Sequence, residues 1–167
     1  MMKNVLSRIL FETPRPVRIE IAIAVAFVGL VTMFAILFAF DAEVDLWETG
    51  TMPVAAFCGA GLAGYVFAGC FGWKGDLLSR ILALLGFLLT TATGSFTGGV
   101  IWALISFPDG LYQDGVLFGL LQAGALAFVV VCIATPAEYP VVAALWLFLM
   151  VVAQFVGGQR RALHADT

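Results

Sequence analysis

Charge is scarce in this chain. Only 11% of its 167 residues are Asp, Glu, Lys or Arg, and the single histidine is His164, near the C-terminus. A soluble domain carries about 25% charged residues, so the scarcity excludes an ordinary water-solvated surface. The lone histidine, outside the apolar segments, leaves no histidine ligand for a membrane haem or chlorophyll and no histidine base to activate a membrane serine. Gly94-Ser95-Phe96-Thr97-Gly98 is not a G-x-S-x-G elbow. No phosphate-binding loop or metal-ligand cluster is present, so no cofactor and no metal are expected. Basic blocks are missing too, which argues against nucleic acid as a partner. The three cysteines, Cys58, Cys70 and Cys132, are an odd number without a C-x-x-C pair, and each falls in an apolar segment. They read as small buried hydrophobes rather than a disulfide framework.

Apolar residues, by contrast, make up 62% of the chain. They are gathered into runs long enough to cross a bilayer. The run 19–40 spans about 33 Å as a helix, against a hydrocarbon core of about 30 Å. Further runs cover 51–73, 77–107, 115–134 and 141–158. The last two are divided by Thr135-Pro-Ala-Glu-Tyr-Pro140, whose two prolines mark a turn. Residues 1–18 hold a short amphipathic stretch, with Met2, Val5, Leu6, Ile9 and Leu10 at helical spacing, that suits an interfacial helix. Residues 159–167 form a polar tail. The expected fold is therefore all-α: one integral membrane domain over 1–167, a polytopic helical bundle of five spans. Four spans plus a re-entrant hairpin, or one bent final helix, is the alternative.

The basic residues bear on that alternative. Lys3, Arg8, Arg15 and Arg18 precede the first span, Lys74 and Arg80 lie between the second and third, and Arg160 and Arg161 follow the fifth. The other two inter-span loops have none. The positive-inside rule then expects a cytoplasmic N-terminus in a bacterial inner membrane. Five alternating crossings leave Arg160 and Arg161 on the wrong side, whereas the alternative puts all eight basic residues inside.

Small residues recur every fourth position in three spans. The second carries Ala56, Ala60, Gly64, Ala68 and Gly72; the third carries Gly86, Thr90, Gly94 and Gly98; the fourth carries Gly115, Gly119, Ala123 and Ala127. Such ridges let helix backbones approach closely in lipid, within one bundle or against a protein partner or second copy. Thr90, Thr93, Ser95 and Thr97, with Gln122 and Gln154 on later spans, are the mid-membrane polar groups. They are interhelical hydrogen-bonders or the lining of a polar path. At the rims, Asp41, Glu43, Asp45, Glu48, Asp109 and Asp114 form one acidic set, and Glu138 and Tyr139 share the proline-bounded turn. No ionisable group lies well inside a span, which argues against a self-contained proton-coupled transporter. Two functions remain in view: a non-enzymatic accessory or scaffolding subunit of a membrane assembly, and a permease or channel component for a small or apolar solute.

Overall fold

The computed structural model describes residues 13–39, 48–72, 77–106 and 115–165. The interfacial stretch at 1–12, Trp47, Trp73 and the rim residues Asp41, Glu43, Asp45, Asp109 and Asp114 lie outside them, as does the side chain of Glu48. Among the described residues there is no strand. The chain is an all-α helical bundle of an integral membrane protein, and the described residues form five helices: α1 (Arg15–Ala39), α2 (Glu48–Val66), α3 (Leu77–Ser106), α4 (Val116–Glu138) and α5 (Pro140–Ala165). Four are long and apolar enough to span; the apolar part of α2, Gly50–Val66, is shorter.

Local chemistry sets the ends. Helix α1 starts earlier than the apolar run suggests, because Pro16 suits a first turn, where its missing N–H has no partner to lose. Arg18 N–H donates to Pro14 O at 3.1 Å. Helix α2 stops at Val66 rather than Trp73. Its last residues tighten into a 3-10 turn, Ala68–Cys70, followed by Gly72 at φ +84°. Glycine is needed there twice over, because a Cβ at Gly72 would also lie 2.5 Å from the backbone of Gly157. Helix α4 does not stop at Ala134. It passes through a π turn, Val130–Ala134, and continues to Glu138. Pro136 supplies the reason: it cannot donate to the carbonyl four residues back, and its ring crowds that carbonyl. The backbone widens instead, and the Thr135 hydroxyl donates to Val130 O at 2.8 Å. The polar tail is helical as far as Ala165.

Around the bundle the order is α5–α1–α2–α3–α4. Helix α1 runs antiparallel to α2, with Gly29 against Ala56 and Ala60, and Gly64 against Val25. Helix α2 runs antiparallel to α3, with Gly59 against Gly94 and Gly98. A hydrogen bond of 2.9 Å between the hydroxyls of Thr51 and Ser106 ties their outer ends. Helix α4 lies on α3, where Gly99 meets Ala123 and Ala127, and Phe96 meets Gly124. Each of these packing contacts has a glycine on at least one side, which lets the partner helix or side chain approach closely.

Helix α5 closes on α1, not on α4. Arg160 pairs with Glu20 at 3.3 Å, and Arg161 donates to Thr13 Oγ1 at 3.1 Å. The C-terminal end of α5 thus lies at the end of the bundle where α1 begins. Gly86 packs on Cys70, so the start of α3 is at that end too. Arg15, Arg18, Arg80, Arg160 and Arg161, the five basic residues among those described, therefore share one end. Five full alternating crossings would separate Arg160 and Arg161 from the rest. Labelling with an impermeant maleimide checks the arrangement in the membrane. In a background with Cys58, Cys70 and Cys132 replaced by alanine, Arg15→Cys and Ala162→Cys are expected to react from the same side. Reaction from opposite sides would mean that α5 leaves α1 in the bilayer.

Candidate functional site

Helices α4 and α5 meet at the Tyr139 turn, yet the first turns of α4, Val116–Val129, do not pack along α5. Elsewhere the small residues draw the backbones together. Here the two helices stay apart, and the space between is a cavity of about 270 Å³ lined by all five helices. Its walls are Val25, Val28, Gly29, Thr32 and Ile36 of α1, Met52, Ala56 and Ala60 of α2, and Thr90, Gly94, Ser95, Gly98 and Trp102 of α3. Met33 of α1, Thr91 and Gly99 of α3, Ala123, Leu126, Ala127, Val130 and Val131 of α4, and Trp146 and Met150 of α5 complete the described lining. Among the described residues, no ionisable side chain is in the lining. Four wall residues of α3, at 90, 94, 98 and 102, are spaced by four and share one stripe. The π turn of α4 puts Val130 and Val131 on the wall, so its irregular backbone borders the cavity, the position where such turns recur at functional sites.

The hydroxyl run of α3 is divided by direction. Thr91 donates to Phe87 O at 2.8 Å, and Thr97 donates to Thr93 O at 2.7 Å while facing Gly59 O of α2. Ser95 donates to Ala92 O at 3.1 Å and lies 3.8 Å from Cys132 Sγ. These are the local back-bonds that hydroxyls make in membrane helices. Thr90 differs. It is 1% exposed and its Oγ1 has no hydrogen-bond partner, and the same holds for Thr32 of α1, 7% exposed.

Of the six polar residues expected from sequence, the structure brings two, Thr90 and Ser95, to the cavity. Thr97 turns towards α2, and Thr93 is off the wall. Gln122 is exposed on the outer face of α4. Gln154 accepts from Gly72 N–H at 2.9 Å, fastening α5 to the turn after α2. The six do not form a continuous path. Glu138 is exposed at the α4–α5 turn and Tyr139 is half-buried there. The ridge Ala56, Ala60, Gly64, Ala68 and Gly72 faces inward: its members meet α1, or in the case of Gly72 the backbone of α5.

Sequence reasoning missed Thr32, Trp102 and Trp146. Each had a sign: Thr32 is a hydroxyl in the middle of an otherwise apolar run, and Trp102 and Trp146 fall within apolar runs and not in the loops that flank them. The chain matches no family model, and no similar curated protein or solved structure was found.

Proposed function

We propose that the protein is a membrane-embedded binding component for a small, largely apolar solute, of the permease type. One observation carries the reading: a 270 Å³ cavity bounded by all five helices, with largely apolar walls and no ionisable group among the described residues. An engineered apolar cavity of about 150 Å³ stays dry and takes up benzene. By proportion this cavity suits a guest of about ten non-hydrogen atoms. The seam between α4 and α5 gives such a guest a route from the lipid. The accessory-subunit reading is less supported, because the small-residue ridge of α2 and the Gly86, Gly94, Gly98, Ala123 and Ala127 positions of the other two pack inside the bundle. What it retains is the outer face of α4, with Leu117, Phe118 and Leu121 exposed, and lipid covers such a face equally well. For orientation, the five arginines gathered at one end support a cytoplasmic N-terminus in a bacterial inner membrane.

Trp102 and Trp146 in the walls act as reporters. Titrating the reconstituted protein with a short alkylbenzene is expected to change tryptophan fluorescence saturably, and Ser95→Phe, which fills the cavity, is expected to abolish the change. A linear response, or one equal in Ser95→Phe, would be ordinary partitioning into lipid and would sink the proposal.

A further inference from the structure

The cavity walls are apolar but not chemically blank. Thr32 and Thr90 enter from two different helices, are buried, and leave their hydroxyls without partners. That is unusual, because a buried hydroxyl without a hydrogen bond is unfavourable, and the neighbouring Thr91 and Thr97 both satisfy theirs. One χ1 rotation exchanges the methyl and hydroxyl of a helical threonine at the wall. A water molecule can meet these hydroxyls in the empty cavity, so a guest that displaces it must bring an oxygen of its own or leave both hydroxyls unsatisfied. A lipid chain would fill the volume but leave both hydroxyls unsatisfied. A guest carrying its own oxygen satisfies them. With no ionisable residue among the described residues of the lining, an uncharged guest is the one it suits. Trp102 and Trp146 offer aromatic surfaces against which a ring packs, and Met52 and Met150 are side chains that adapt to its outline.

Resting on the proposed solute-binding role, we infer that the ligand class is a neutral, lipid-soluble ring compound bearing a hydroxyl or carbonyl oxygen, and that Thr32 and Thr90 select it over a plain hydrocarbon.

The test compares a short alkylphenol with the alkylbenzene of equal chain length, read by tryptophan fluorescence in nanodiscs and corrected for each compound's partition into lipid. The phenol is expected to bind about tenfold more tightly, the worth of one hydrogen bond in an apolar site. The double variant Thr32→Val with Thr90→Val is expected to bind the two compounds equally. Without ligand it is expected to unfold no earlier than the parent on heating, since neither removed hydroxyl had a partner in the protein. Equal binding of both compounds by the parent overturns the inference and leaves the solute-binding reading standing. Binding of neither overturns both. Early unfolding of the empty double variant assigns the hydroxyls to structure and also overturns the inference.

Discussion

Gly59→Ala is expected to destabilise the bundle by about 3 kcal/mol, and Gly59→Val by more. Overpacking a core ordinarily costs about 1–3 kcal/mol, because side chains shift to make room. No side chain can shift here. A Cβ at position 59 would lie 2.5 Å from both Gly94 O and Gly98 N, and 2.7 Å from Gly98 Cα. All three atoms are backbone, in the middle of α3. The two helices would have to separate, and separation loosens the packing of Ala55 and Ala63, each 1% exposed on the same stripe. Gly50 is the control within the same helix, since a Cβ there meets nothing within 4 Å. Gly50→Ala is expected to be neutral or to stabilise by up to about 1 kcal/mol through helix propensity. Thermal unfolding in detergent, followed by loss of the monodisperse peak, measures the series. Equal stability of Gly59→Ala and Gly50→Ala would show that the α2–α3 approach is looser than the structure has it.

The Gly59 stripe shows how far sequence reasoning reached. Spacing by four identified one small ridge on α2, from Ala56 to Gly72, but a second stripe, Ala55, Gly59 and Ala63, runs beside it. The first faces α1 and the second faces α3, so α2 is wedged between them. Periodicity tells which residues share a stripe; it does not tell which helix the stripe meets. The same limit applies to the cavity. Thr90 and Ser95 were legible as polar residues in an apolar span, but Thr32 and Trp146 join them only through the order α5–α1–α2–α3–α4. The tail was the other open point. Hydropathy counted five runs and charge favoured returning the last arginines to the N-terminal end. The runs are helices and the arginines do return, because α5 ends against α1. Neither the length of a run nor its composition contains that contact.

Arg161→Ala is expected to cost about 2–4 kcal/mol and to release the end of α5. The guanidinium lies where α2 ends. Its Nε donates to Phe71 O at 2.7 Å, and one terminal nitrogen reaches Ala68 O at 3.1 Å, Gly69 O at 3.2 Å and Thr13 Oγ1 at 3.1 Å. Three of these acceptors are carbonyls at a helix end, where the last C=O groups lack partners within the helix and the dipole favours a cation. A hydrogen bond to a charged group contributes about 1.5–3 kcal/mol; shared donors and partial exposure keep the total well below the sum. Arg161→Lys is expected to recover less than half of the loss, because an ammonium is a point charge and cannot span Phe71 and Ala68 as the planar fork does. The consequence reaches the cavity. Trp146 and Met150 are its α5 wall, and α5 is fastened at its far end by Arg161, Gln154 and the Arg160–Glu20 pair. Arg161→Ala is therefore expected to weaken alkylbenzene binding as well as stability, although position 161 is not part of the lining. If Arg161→Lys proves as stable as the parent, charge alone anchors α5; if Arg161→Ala binds with full affinity, the cavity does not depend on that anchor.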